Sequence, residues 1–286
     1  MQSFCTDFVF VRYMLDLNDI IRRRVGHELP GCVLRRLERL LHIEDINDIL
    51  LAGQGLQPQE FLRYVFQRLN VRYDVSQTAR LYDDRYIFVA NHPFGALDGM
   101  MLADWILGRW GDVGVVVNDI LSYIEPLREL WIPVNKYGRQ RSTEEYRHAM
   151  ESTGKQILVF PAGMCSRWRD GRVVDLEWQA RFVKDALRYD RCVVPVFVDG
   201  TLSRRFYNIY RFRRMLRIEA NVELLLLVDE LFGQRGAQVS MVVGQPMDMR
   251  SLKGGVEEQC RVVRREVYRL QEYLAVEPHR SIIDCR

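Results

Sequence analysis

The pair of side chains best suited to moving a proton is His92 and Asp98, with five residues between them in Arg85–Met100, RYIFVANHPFGALDGM. An imidazole is a base near neutral pH, and a carboxylate on its other nitrogen fixes the tautomer and stabilises the imidazolium that forms. Tyr86–Ala90, just upstream, is an apolar, β-branched and aromatic run that reads as a buried strand. It stops at Asn91-His92-Pro93, because a proline cannot donate to a sheet ladder. Gly95 and Gly99 allow a tight turn, and Asp98 is placed to open the helix that Met100–Trp110 predicts. The pair then falls at the C-terminal end of a strand, the edge of an open α/β sheet where sites gather. A histidine after a strand can also be a plain loop cap, so the surroundings decide.

Three more strands run into loops that carry chemistry. Ile157–Phe160 leads into Pro161-Ala162-Gly163-Met164-Cys165-Ser166-Arg167. If the strands are parallel, Ser166 and Arg167 share the edge of His92, and a guanidinium there suits a phosphate or carboxylate. Cys165 has no second, carboxylate-oriented histidine to activate it and reads as a loop or core thiol. Trp131–Val134 opens into a basic loop in which Lys136 and Arg139 can gather an anionic head group, while Arg141 reads as solvated. Val193–Val198 holds an internal Pro195, which argues for an edge position or a bulge.

The elements that must position these groups alternate. After Val71, Tyr73 and Val75, strands at 86–90, 113–117, 131–134, 157–160 and 193–198 are separated by helical stretches at 120–130, 143–152 and 176–189. That order predicts an α/β fold with a mostly parallel twisted sheet flanked by helices. Val222–Leu227 reads as a strand or an irregular piece, Gln238–Val243 as a late strand ended by Gly244, and Val256–Leu274 as a closing amphipathic helix before a loose tail. The organisation expected is an N-terminal helical segment over 1–75, a core over 76–250, and a C-terminal helix and tail over 251–286. In the first segment Val33–Leu41 sets leucines against Arg35, Arg36 and Arg39, the pattern of a helix lying on a membrane and equally of one packed on a core; this segment or the neighbouring Phe4–Leu15 face is where contact with an anionic bilayer is expected.

Composition narrows the function classes. A chain of 286 residues, 48% hydrophobic and 28% charged, is ordinary for a globular protein and excludes disorder. The net charge of +3 is too modest for a dedicated nucleic-acid binder, and no recognition module appears. Arginines nevertheless cluster, at 22–24, 35–39 and 204–217, as anionic lipid or phosphate would favour. The six cysteines include no C-x-x-C and sit in no ligand spacing with the histidines, so neither zinc nor a disulfide framework is expected. No basic stretch precedes an apolar run at the N-terminus, and no segment has transmembrane length, so any membrane contact is peripheral.

The blocks NHPFGALDG, WIPVNKYGRQ, FPAGMCSR and VVPVFVDG, in that order over roughly residues 72–250, resemble the glycerolipid or lysophospholipid acyltransferases. The likeness is strongest to the bacterial subgroup often labelled haemolysin-like. The resemblance implies an enzyme at the cytoplasmic face of the inner membrane. It would move an acyl group from an acyl carrier protein or coenzyme A thioester to a lyso-lipid hydroxyl, with no other cofactor. His92 would be the general base and Asp98 its partner, with Gly163, Ser166 and Arg167 on the acceptor side and Lys136 or Arg139 in the second block. Two departures stand out: the family usually has four residues between His and Asp, and Ala162 replaces its common glutamate. The second weakens the case for a glycerol-phosphate acceptor, so the acceptor expected is lysophosphatidic acid or another monoacylated lipid, such as an N-acylated amino acid; the two together leave open a non-catalytic lipid-binding protein that keeps the fold.

Overall fold

Successive side chains of the central strands point to opposite faces, and both faces are covered. In β2 (Tyr86–Ala90), Tyr86, Phe88 and Ala90 join one apolar cluster while Ile87 and Val89 join the other, and all five residues are buried. The computed structural model describes residues 15–26, 29–82, 84–118, 124–134, 141–169, 171–217, 222–275 and 282–283. The described chain opens with α1 (Leu17–Val25), α2 (Gly31–Leu40), α3 (Ile43–Ala52) and α4 (Pro58–Leu69). Helix α4 starts at a proline, whose missing N–H is no loss there, and Glu60 accepts the N–H of Gln57 at 2.9 Å. Its stripe of Phe61, Leu62, Val65, Phe66 and Leu69 is buried in the cluster that holds Phe88.

The remaining strands are β1 (Arg72–Gln77), β3 (Val113–Asn118), β4 (Trp131–Val134), β5 (Gln156–Val159), β8 (Cys192–Val198), β9 (Gln238–Val243) and β10 (Ile282–Ile283), with a separate hairpin of β6 (Arg167–Arg169) and β7 (Arg172–Val174). The main sheet runs β10-β1-β9-β8-β2-β5-β3-β4. Its pairings are parallel except at β8–β9 and β1–β10, so the fold is α/β with a largely parallel sheet. The helices after α4 are α5 (Ala96–Trp110), α6 (Arg141–Glu151), α7 (Arg181–Tyr189), α8 (Arg204–Met215), α9 (Leu227–Gly233) and α10 (Val256–Arg269). Residues of α4, α5, α8 and α9 pack into one cluster, and those of α6, α7 and α10 into the other. No helix among the described residues is long and apolar enough to cross a membrane.

Several expectations change. The helix predicted over 120–130 is, where described, a single 3-10 turn at Glu125–Leu127; Pro126 lacks the N–H and crowds the carbonyl that a longer helix would use. Val222–Leu226 is a 3-10 turn running into α9, not a strand, and its Glu223 is drawn inward by two arginines. Pro195 does not mark a sheet edge, for β8 lies between β2 and β9. It sits opposite a bulge: Val196 pairs with Val243 but Val193 with Met247, so Val194 and Pro195 face the three residues 244–246. In the tail, Ile282 and Ile283 pair with Asp74 and Tyr73.

Candidate active site

His92 stands two residues beyond the end of β2, and Asp98 is the third residue of α5. The turn between them passes through Gly95 at φ 85°, a conformation that costs glycine little, and this takes up the five-residue spacing. His92 Nδ1 lies 3.0 Å from Asp98 Oδ1, somewhat off the ideal N–H···O line. Asp98 is fully buried and accepts from the backbone N–H of Phe94 (3.0 Å) and of Gly99 (2.9 Å). A carboxylate in the first turn of a helix also sits where unpaired N–H groups favour negative charge. The His92 side chain keeps 17% of its surface exposed, and its ring stacks on Phe160 at 4.1 Å. It is sheltered but reachable.

A second carboxylate, not foreseen from the sequence, holds the loop from behind. Asp175 Oδ1 accepts the backbone N–H of His92 (3.1 Å) and the hydroxyl of Ser166 (2.5 Å), and its Oδ2 accepts the indole N–H of Trp178 (2.8 Å). Ser166 closes the link by donating its N–H to the carbonyl of His92 at 2.7 Å. Asn91 ties the end of β2 to β8, donating to the Val198 carbonyl and accepting its N–H. Asp175 lies 83 residues from His92, just after a short hairpin, and nothing in the sequence around it marks a buried role.

Electrostatics favour a charged imidazole. Burial is the largest influence on His92 and pulls its pKa down, but the charge and hydrogen bond of Asp98, helped by Asp175 and opposed by Arg167, leave it raised. Asp175 is itself raised, by burial first, against the hydrogen bonds from Ser166, His92 and Trp178. Burial, then the charge of Asp98, pushes the Cys165 thiol up to about 12. That thiol is inert as a nucleophile, in keeping with a core role.

The other expected site residues divide. Gly163 is exposed at φ 63°, at the turn after β5. Arg167 is fully buried: Nη2 meets Glu223 Oε1 at 3.1 Å, Nη1 donates to the Cys165 carbonyl at 2.6 Å, and the guanidinium lies over the rings of Phe206 and Tyr210. Arg213 grips the same carboxylate, Nε to Oε2 at 2.8 Å. The anion that Arg167 was expected to bind is thus supplied by the protein. Lys136 and Arg139 lie outside the described residues. A groove of about 590 Å³ lined by Gln77, Thr78, Ala79, Arg80 and Arg109 follows β1, at the opposite sheet edge from His92, and contains none of these groups.

The Acyltransferase family profile matches residues 21–277. The chain belongs to the acyltransferase family. Among curated relatives, the lyso-glycine lipid O-acyltransferase of Bacteroides thetaiotaomicron is 32% identical over 244 residues, covering 82% of this chain and 89% of that one. The protein of the same name from Phocaeicola vulgatus is 31% identical over 242 residues, covering 82% and 86%. The crystal structure of the 1-acyl-sn-glycerophosphate (LPA) acyltransferase PlsC from Thermotoga maritima aligns over 98% of this chain and 100% of that one, at 17% identity and a TM-score of 0.45, too loosely to match individual elements. In this acyltransferase the imidazole, its carboxylate and the loop that braces them are all within reach of one sheet edge.

Proposed function

We propose that this acyltransferase moves a fatty acyl group from an acyl carrier protein or coenzyme A thioester to the free hydroxyl of a monoacylated lipid. We favour an N-acylated amino-acid lipid over lysophosphatidic acid as the acceptor. The observation that carries the chemistry is the 3.0 Å contact of His92 Nδ1 with a buried Asp98. The names of the two curated relatives and Ala162 in the third block support the acceptor.

With a proton held at Nδ1 by Asp98, His92 Nε2 is free to take the hydrogen of the acceptor hydroxyl as its oxygen attacks the thioester carbonyl. Asp98 stabilises the imidazolium, which returns its proton to the departing thiolate. No enzyme nucleophile is required, consistent with the inert Cys165. Asp175 and Ser166 are positioning residues, holding the backbone of His92 on both sides. Arg167, buried on Glu223, enters as a strut of the acceptor loop; Gly163, Lys136 and Arg139 remain the candidates for acceptor contact. The enzyme would work at the cytoplasmic face of the inner membrane, where its substrates meet.

The test is transfer of labelled acyl groups from each thioester to lyso-glycine lipid and to lysophosphatidic acid. His92→Ala is expected to lower the rate about 10³-fold, the usual worth of a positioned base, with the fold retained. Full activity in that variant would overturn the mechanism. Binding of the lipids without any transfer by the wild type would favour the non-catalytic reading.

A further inference from the structure

Helix α8 leaves the C-terminal end of β8, which is parallel to β2, so it starts at the sheet edge of His92. Its inner side is secured: Phe206 is buried, and Arg213 holds the Glu223 that Arg167 also holds, one residue from Ser166. Its outer end is unlike any other surface described. Phe212, Met215 and Leu216 are 58%, 69% and 51% exposed, at i, i+3, i+4 spacing that puts them side by side. They are three of the seven large hydrophobic residues exposed among the described residues. A fourth, Trp168, is on the hairpin that packs against the same helix through Tyr207.

Around this apolar end, Arg211, Arg214 and Arg217 are exposed, and no ion pair ties them to an acid among the described residues. Arg205, at the other end of the helix, is by contrast paired with Asp229. Large apolar side chains held in water beside exposed arginines are unfavourable for a protein that stays in solution. They fit the boundary of an anionic bilayer, where apolar groups enter the acyl layer and guanidinium groups rest among phosphates.

We infer that the C-terminal end of α8, with Phe212, Met215 and Leu216 inserted and Arg211, Arg214 and Arg217 around them, is the surface by which this protein docks on anionic membranes. The choice of a bilayer as partner rests on the lipid-acceptor reading above, and on the charge and exposure of this one helix end. Of the two places expected from sequence, the Phe4–Leu15 face lies outside the described residues except for Leu15, and helix α2 is less suited. Only Val33 among its large apolar residues is exposed, at 41%, and Leu40 packs against the core.

The experiment is co-sedimentation of the full chain with phosphatidylglycerol vesicles and with phosphatidylcholine vesicles. The wild type is expected to bind the first and not the second. Phe212→Ser/Met215→Ser/Leu216→Ser, and separately Arg211→Glu/Arg214→Glu, are each expected to weaken binding by about tenfold or more. Val33→Ser/Arg36→Glu on α2 should bind as the wild type does. No wild-type binding, or unchanged binding in both α8 variants, overturns the inference. So does loss of an acidic acyl carrier protein from the arginine variant while vesicle binding is kept. Transfer to a short-chain, water-soluble lyso-lipid is measured in parallel. The α8 variants should match the wild type there, which separates docking from chemistry. If no protein transfers acyl groups but the α8 variants still lose the vesicles, the docking surface stands and the proposed reaction falls.

Discussion

At the sheet edge where β2 begins, Arg191 is buried just before β8 and donates to the carbonyls of Ala149, Met150, Ser152, Lys155 and Tyr86, at 2.7 to 3.3 Å. At the edge where β2 ends, Arg167 is buried as deeply, but its ion-pair partner is the side chain of Glu223, and beside it lie His92, Asp98, Ser166 and Asp175. Burial pulls Arg191 down to about 10, which still leaves it charged at neutral pH, and carbonyl acceptors do not titrate. One edge therefore uses a buried charge to close off helix and strand ends. The other brings titratable side chains within hydrogen-bonding distance of each other, so that a proton has somewhere to go. The depth of burial is the same; the nature of the partner separates structure from chemistry.

The contrast can be broken most severely at Asp98. Asp98→Asn is expected to lower kcat about 10²-fold or more, because the neutral amide cannot stabilise the imidazolium. It should also move the pH profile. The base must be neutral to act, and the raised pKa of His92 places the acid limb of kcat/KM above pH 6.5, its ordinary value. Without Asp98, burial prevails and that limb shifts to lower pH. A limb that stays in place in Asp98→Asn would show that another group titrates.

Arg191→Met tests the other edge. It leaves buried carbonyls without a donor, so unfolding free energy should fall by roughly 3 kcal/mol, read by denaturant titration. Below its transition the variant should keep wild-type kcat. A large loss of kcat in the folded variant would erase the distinction between the two edges.

The smallest effect expected is at Asp175. Asp175→Asn keeps an acceptor for the His92 N–H but removes a charge that raises its pKa, so a few-fold loss of kcat with little change in KM is expected, on the order of one weakened hydrogen bond. Its acid limb should shift in the same direction as that of Asp98→Asn, and by less. A merely structural residue would lower stability without moving the profile at all.

The strand that leads to His92 was legible because its signals are local: a five-residue apolar run, a proline that stops it, and glycines in the turn. The alternation of strands and helices likewise revealed the largely parallel sheet. What the sequence could not reveal depends on distance. Arg167 reads as a ligand-binding residue until Glu223, 56 residues away, is found against it. Glu223 in turn looks like one polar residue in an apolar run, which is why that run was open to a strand reading. Pro195 was rightly linked to a bulge, but the same residue cannot say that β9 pairs on its far side. Asp175 gave no signal because a single acid after a short strand has many uses.

Gly95 and Cys165 give the site an internal gauge. A side-chain carbon at Gly95 would come within 3.0 Å of the Cys165 sulfur, so the His92 turn rests directly on that thiol, which is only 2% exposed. Lifting of the turn would uncover Cys165 to an alkylating reagent. The labelling rate of this one peptide, followed by mass spectrometry, is therefore a stopwatch for how often the His92 turn breathes, and a tightly held substrate should slow it.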